Sequence, residues 1–287
     1  MNPADRVSAF QEALPYLQRF RGSTFVIKYG GSAMEDEARV DAVLRDVVLL
    51  EAVGINPVLV HGGGKAITRA LQQEGVGSHF IDGLRVTGAD AIAAIDRTLA
   101  REIGPGIARR IQALGGKAEA LSGKEVLRAR KLAYRKDGKA VDLGFVGDVT
   151  RVVAPPLRRR VAAEVVPVIS PLAVGRKGGI YNINADTAAC EVAVALRAEK
   201  LIYLTDVNGV LRDAADPAST IPALDPAAVA RLKAEGVIAG GMIPKVDGAV
   251  GALERGVGKV HFLNGGTPHA LLLEIFTDAG IGTEFHL

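Results

Sequence analysis

Residues 25–34 read FVIKYGGSAM. Three apolar residues lead into Lys28, and Gly30 and Gly31 follow at once. Behind them, DEARVDAVLRDVVLLEAVG (36–54) has the apolar spacing of an amphipathic helix and stops at Gly54. This is a buried strand, a glycine turn and a helix. The unit recurs as NPVLVH (56–61), then GGGKAITRALQQEG (62–75). Strands alternating with helices of ten or more residues predict a mostly parallel sheet covered on both faces, an α/β protein.

The rhythm continues outward. ADAIAAIDRTLAREIGPGIARRIQALGG (89–116) reads as a helix kinked around Gly104 and Pro105, and KAEAL (117–121) as a strand. Residues 130–150 hold short strands around an RKDGK turn at 135–139, and EVVPVIS (164–170) is a strand. NADTAACEVAVALRAE (184–199), DPAAVARLKAEG (225–236) and KVDGAVGALERG (245–256) read as helices. KLIYLT (200–205) and KVHFL (259–263) are strands, PHALLLEIFTDAG (268–280) a final helix, and TEF (283–285) closes an edge. Ahead of the first strand, Val7, Phe10, Leu14, Leu17 and Phe20 set a helical stripe over 4–20, interrupted by Pro15. That helix either packs on its own domain or docks onto another subunit. The glycine-rich segment 174–182 is the expected lobe boundary.

The chain has 287 residues, 48% hydrophobic and 23% charged, enough for a large core in one domain or two lobes. Its net charge of +3 comes from interleaved lysines and arginines without aromatic partners, which is no nucleic-acid footprint. The single cysteine, Cys190, fits a reducing, cytoplasmic setting and reads as core packing. No apolar run is long enough to span a membrane, and the first 22 residues lack a signal-peptide core. His61, His79, His261, His269 and His286 show no metal-ligand spacing, so no metal site is expected.

In a parallel sheet, ligands bind beyond the carboxyl ends of the strands. KYGGS (28–32) and HGGGK (61–65) both fall there. Glycine permits close backbone approach, and the helix behind each turn offers free N–H groups, so both turns suit anions. Neither matches a Walker loop or a dinucleotide fingerprint, which argues against a Rossmann dehydrogenase. Lys28 either snorkels to solvent or serves as a cation at the mouth of the site, because burying its charge alone costs several kcal/mol. Arg85 in GLRVT (83–87) offers a fork for a carboxylate, here expected in a loop. Asp186 in YNINADTAA (181–189) is either a helix cap or an organising carboxylate. LTDVNGV (204–210) and GGMIPK (240–245) add Asp206, Asn208 and Lys245 near strand or helix ends. Cations from separate turns, glycine amides and one carboxylate are what phosphoryl transfer needs.

Taken in order, FVIKYGGSAM, VLVHGGGKAI, GLRVT, YNINADTAA, LIYLTDVNGVL and GGMIPKVDGAV resemble the acetylglutamate kinases of the amino acid kinase family. The resemblance spans about residues 7–285. It implies a three-layer αβα sandwich with an N-terminal helical arm (1–21), an N-terminal lobe (22–178) for acetylglutamate and dimerisation, and a C-terminal lobe (179–287) for ATP. The implied reaction is ATP-dependent phosphorylation of the γ-carboxylate of N-acetyl-L-glutamate, in arginine biosynthesis, with Mg²⁺ carried on the phosphates. By position, Lys28 and Lys245 match the catalytic lysines and Asp186 the carboxylate that orients them. Gly31 and Gly64 match amide donors, and Gly63, Gly64, Arg85 and Asn182 the acetylglutamate site. Thr205, Asp206, Asn208, Gly209, Gly241 and Met242, with Lys28 and Lys245, would line the nucleotide pocket.

The N-terminal helix and the C-terminal stretch resemble the arginine-inhibited, hexameric type, a trimer of dimers. Lys200, His261, Glu274 and Gly280 would then form an arginine effector site. The sequence departs from the usual pattern at Lys65 and Gly88, away from the expected chemistry. The rival readings are a kinase for acetylaminoadipate or a non-catalytic arginine sensor.

Overall fold

The computed structural model describes residues 2–34, 36–278 and 280–287. Eight strands form the main sheet, in the order Ala223–Leu224, Thr283–Phe285, Lys259–Asn264, Lys200–Thr205, Thr24–Tyr29, Asn56–His61, Val166–Ile169, Ala118–Leu121. All pairs are parallel except Lys259–Asn264 with Thr283–Phe285. The strand that carries Lys28 is therefore central, with Lys28 level with Val60 on one side and Tyr203 on the other.

Side chains alternate between the two faces of a strand. Phe25, Ile27 and Tyr29 enter a core formed with helices Glu37–Ala52, Gly104–Ala113 and Ala270–Ile275. Val26, Val58, Val60, Leu201 and Tyr203 enter another, with helices Ala185–Leu196, Pro226–Ala234 and Met242–Glu254. This is the expected three-layer αβα arrangement. The period of two places Lys28 on the face of Val26, under helix Ala185–Leu196.

A second sheet of four short strands, Ile180–Asn182, Leu172–Gly175, Leu127–Lys131 and Gly147–Val152, stands beside the first. Segment 174–182 is part of it: Leu172–Gly175 and Ile180–Asn182 pair as an antiparallel hairpin. The turn at 135–139 joins Tyr134–Lys136 to Lys139–Val141, with Asp137 and Gly138 at positive φ as a two-residue hairpin requires.

Four sequence expectations change. TEF is an inner strand, because Ala223–Leu224 pairs outside it. The last helix is only Ala270–Ile275; it follows His269 in a left-handed conformation, and Phe276 ends it. Ala279, within the expected range, lies outside the described residues. The helix over 89–116 is not simply kinked: Ala89–Arg97 passes through a π-helical turn, Thr98–Ile103, before Gly104–Ala113. Arg85 sits on a short strand, Leu84–Arg85, paired with Phe80–Ile81 across Asp82 and Gly83.

The N-terminal helix runs Pro3–Phe20, opened by a capping box between Asn2 and Asp5, and Pro15 lies inside it. Its end packs on the chain: Phe20 is buried edge-on against Phe25, and Tyr16 meets Phe276. Its beginning does not, since Val7, Phe10 and Leu14 are 58%, 75% and 49% exposed.

Candidate active site

The two glycine turns lie side by side at the carboxyl ends of adjacent strands. The Gly62 amide donates to Tyr29 O at 2.7 Å, and a Cβ on Gly30 would stand 3.5 Å from the Gly62 Cα. Gly31 has φ +61°, and a Cβ there would strike Asp206 Oδ1 at 2.7 Å. The backbone conformation favours glycine there, and a Cβ would have to displace the Asp206 carboxylate.

Beyond the turns opens a cleft of about 220 Å³. Lys28, Gly31, Gly63, Gly64, Arg85, Asn182 and Asp186 all line it. Larger hollows of about 430 and 460 Å³ lie at the opposite strand ends, around Arg21 and Glu51, far from every expected catalytic residue.

Asp186 is the hub of the cleft. Lys245 Nζ donates to its Oδ2 at 2.7 Å, and Lys28 Nζ makes a charge contact with its Oδ1 at 3.1 Å. Burial pushes the carboxyl up, but the two ammonium groups outweigh it and hold Asp186 below the usual carboxylate range. Two cations share one anion, so the trio keeps one net positive charge at the mouth of the cleft. Asp186 is not the helix cap. Asn184 is, its Oδ1 accepting the amides of Asp186 and Thr187 at 2.8 and 3.2 Å. That division of labour leaves the Asp186 carboxylate for the lysines.

Arg85 faces the cleft from the other side and is nearly buried. Its Nη2 donates to Gly64 O at 2.8 Å and Thr68 Oγ1 at 2.9 Å, its Nη1 donates to Ser78 Oγ, and its guanidinium stacks 4.5 Å from the Phe80 ring centre. These acceptors are neutral, and among the described residues Arg85 forms no ion pair. The group is thus fixed in orientation with its charge unpaired among the described residues, an arrangement that suits an anion in the cleft. Asn182 reaches Thr87 Oγ1 at 3.2 Å beside it. Helix Gly64–Gln73 starts at Gly63 with no side-chain cap, so its first amides open toward the same space.

Of the residues expected around a nucleotide, Lys28 lines this cleft, and the others lie outside it on adjoining strand ends and at the start of helix Met242–Glu254. Thr205 closes its strand, its hydroxyl donating to Val207 O at 2.8 Å. Asn208 is held by Pro217 O and Asn264. Gly209 has φ +134° and lies against Thr283, whose Oγ1 would be 2.4 Å from a Cβ. Gly241 opens helix Met242–Glu254 without a side-chain cap, and Met242 and Lys245 occupy its first turn. Asp206 against Gly31 and Lys245 against Asp186 join this region to the cleft. Cys190 is buried in the helix behind, its thiol pushed up to about 11 by that burial.

Sequence reasoning missed Thr68, Ser78 and Phe80, which set Arg85. Thr68 had a usable signal, four residues past Gly64 and so on the same helix face. Ser78 and Phe80 had none, being placed by the fold. Among the described residues no group of three or more His, Cys, Asp or Glu side chains gathers as a metal site.

At the far end of the strand Lys200–Thr205 lies a second polar cluster, just beneath the N-terminal helix. Lys200 Nζ donates to His261 Nε2 at 2.8 Å, so the His261 proton is on Nδ1, which donates to Glu274 Oε1 at 2.7 Å. The Ile281 amide binds Glu274 Oε2 at 2.7 Å, and Gly280 leaves 3.0 Å between that oxygen and a Cβ site. Burial lowers Lys200 to about 8, against the pull of Glu284 and Glu274, and Lys200 stands 5.3 Å from the Phe20 ring. The four expected effector residues are therefore neighbours.

A sequence model of the amino acid kinase family matches residues 23–264. The chain is 49% identical to an acetylglutamate kinase of Heliobacterium modesticaldum, over 97% of each chain. It is 47% identical to one from Moorella thermoacetica, over 99% of this chain and 98% of the relative. Among solved structures, it is similar to an N-acetylglutamate synthase from Neisseria gonorrhoeae complexed with coenzyme A and N-acetyl-glutamate, with TM-score 0.81 and 30% identity. That match covers 98% of this chain and 63% of the synthase. A second structure of that synthase, complexed with L-arginine, matches with TM-score 0.78 and 31% identity over 98% of this chain and 65% of the synthase.

Proposed function

The chain belongs to the amino acid kinase family, and from that premise we propose that it phosphorylates the γ-carboxylate of N-acetyl-L-glutamate with ATP, yielding an acyl phosphate and ADP in arginine biosynthesis. The observation that carries the reading is Asp186 bridging Lys28 and Lys245 at one end of a cleft whose other end is held by Arg85.

A carboxylate acceptor is already ionised at neutral pH and needs no general base. The work is positioning and charge neutralisation. Arg85, assisted by Asn182, clasps the α-carboxylate and turns the γ-carboxylate toward Lys28, and Gly63 helps hold the acetylglutamate. One γ-carboxylate oxygen attacks Pγ in line, and the bond from Pγ to the bridging oxygen breaks, its electron pair leaving with ADP. Lys28 and Lys245 lie along the transferring group and offset its charge, with Asp186 keeping both in place. The amides of Gly31 and Gly64 add donors along the path. The ATP phosphates would carry Mg²⁺, which would supply charge neutralisation there, with Lys28 and Lys245 as this chain's own cations at the transferring group. ATP occupies the strand ends around Thr205, Asp206, Asn208, Gly209, Gly241 and Met242.

We further read Lys200, His261, Glu274 and Gly280 as a site for arginine, acting as feedback inhibitor. The acidic Glu274 and Glu284 near the cluster suit a guanidinium, and the similar synthase was solved with L-arginine. The bare stripe Val7, Phe10 and Leu14 supports assembly through the N-terminal helix, into a hexamer built as a trimer of dimers.

The test is direct. The protein is incubated with MgATP and acetylglutamate, acyl phosphate is trapped with hydroxylamine, and the assay is repeated with glutamate, aspartate and acetylaminoadipate. Acetylglutamate is expected to be the preferred acceptor. One methylene in a pocket is worth about 1–3 kcal/mol, so acetylaminoadipate should trail rather than vanish. No hydroxamate from acetylglutamate would refute the reading.

A further inference from the structure

His61 ends the strand Asn56–His61, immediately before the three glycines, and the phosphoryl-transfer reading gives it no part. Its ring is fully buried. Nδ1 stands 2.7 Å from the carbonyl oxygen of Gly62. A carbonyl can only accept, so Nδ1 carries the proton and Nε2 is left with a bare lone pair. Nε2 is buried with no hydrogen-bond partner. It faces Gly104, where an added Cβ would come within 3.2 Å. Burial lowers the imidazole to about 4, so the ring is neutral at physiological pH.

A trans peptide is planar, and its C=O and N–H point in opposite directions. Drawing the Gly62 carbonyl inward therefore turns the N–H of Gly63 outward. Gly63 lines the cleft, and among the described residues its amide has no backbone acceptor. The glycine is pinned from the other side as well. A Cβ on Gly63 would meet Leu99 Cδ2 at 2.7 Å and Ile103 Cδ1 at 2.8 Å, both from the π-helical turn.

We propose that His61 is a positioning residue for phosphoryl transfer: its neutral Nδ1–H holds the Gly62 carbonyl, and that bond aims the Gly63 amide at the acceptor and the moving phosphoryl group. The assignment rests on the acyl-phosphate reading above and adds a role to a residue outside the cleft. It separates His61 from a general acid or base, because the ring neither touches substrate nor changes charge in the working pH range.

The hydroxylamine assay is run on the wild type, His61→Leu and His61→Asn. Leucine fills the space without a donor, whereas asparagine returns an amide N–H near the Nδ1 position. His61→Leu is expected to lower kcat about 10²-fold, the scale of losing one preorganised donor, and to raise the acetylglutamate KM, because the same Gly63 amide helps hold the acceptor. His61→Asn is expected to recover most of that loss. Equal losses in both variants, or a normal kcat in His61→Leu, would overturn the role. Ring ¹⁵N shifts of the wild-type protein give an activity-independent reading, which stands if a variant fails to fold. A neutral Nδ1–H form from pH 5 to 8 is expected, and an Nε2–H or charged ring would overturn the assignment. A silent wild type would instead refute the kinase reading.

Discussion

Lys28 is awkward in a strand and accommodated in a cleft. Its strand end is dry on the sheet side, yet Asp186 supplies the countercharge and the cleft supplies space. The lysine and its glycines were legible in the sequence because a strand, a turn and a helix start are local signals. Asp186 was ambiguous for an equally local reason, since Asn184 and Asp186 both stand where a cap belongs. Only the chain arriving from residue 245 distinguishes them. The setting of Arg85 was legible only at Thr68, on the helix behind Gly64; Ser78 and Phe80 come from a loop and a hairpin that the fold brings in. The two cations should fail differently. Lys28→Ala is expected to lower kcat by about 10²–10³-fold with the fold intact. Arg85→Ala is expected mainly to raise the acetylglutamate KM, the mark of lost ground-state binding. Steady-state kinetics of both variants separate the two, and a Lys28→Ala enzyme with ordinary turnover would remove that lysine from the chemistry.

At the scale of elements, periodicity located the long helices and the parallel strands. It did not find the π-helical turn or the hairpin strands Leu172–Gly175 and Ile180–Asn182 of the second sheet, which are set by what packs on them. It also passed over Asp46, an acid within an apparently ordinary amphipathic helix. Asp46 is fully buried in helix Glu37–Ala52. Its Oδ1 lies 2.6 Å from Nδ1 of His269, the residue just ahead of helix Ala270–Ile275, and the nearby amides of Leu271 and Leu272 favour its charge. Burial raises Asp46 to about 6, although His269 and those amides pull the other way. A carboxyl raised in the folded state favours the fold while protonated. That contribution is full below the unfolded value near 4 and is lost as pH rises through about 6. Asp46→Asn should therefore gain stability relative to the wild type between pH 4 and 7, by on the order of 1–3 kcal/mol. Urea unfolding across that range measures it, and a constant difference would contradict the burial argument.

For the molecule as a whole, sequence rhythm was enough to anticipate a parallel sheet between helical layers, because every strand–turn–helix unit repeats the same physical pattern. Strand order was beyond it, since nothing in TEF says where it inserts. The N-terminal helix divides at this scale into a seated end, with Tyr16 and Phe20, and a bare end, with Val7, Phe10 and Leu14. A cut ahead of Pro15 separates assembly from folding better than removal of the whole helix, which would uncover Phe25. A chain of residues 15–287 is expected to show a smaller mass by light scattering and weakened arginine inhibition, with kcat retained. An unchanged mass would show that the bare stripe joins nothing.

Thr283 binds two distant loops at once. Its hydroxyl accepts the Val210 amide at 2.8 Å and donates to Ile221 O at 2.7 Å, while Gly209 lies against it. Its strand slots between two that precede it in the chain. During synthesis, strand Lys259–Asn264 must wait with an open edge, and the loop after Thr205 must wait unfastened, until residues 283–285 emerge. Vectorial translation therefore delivers the cleft around Lys28, Gly63 and Arg85 well before the bolt that locks the neighbouring strand ends, and a ribosome stalled in between would display a sheet with one berth still vacant.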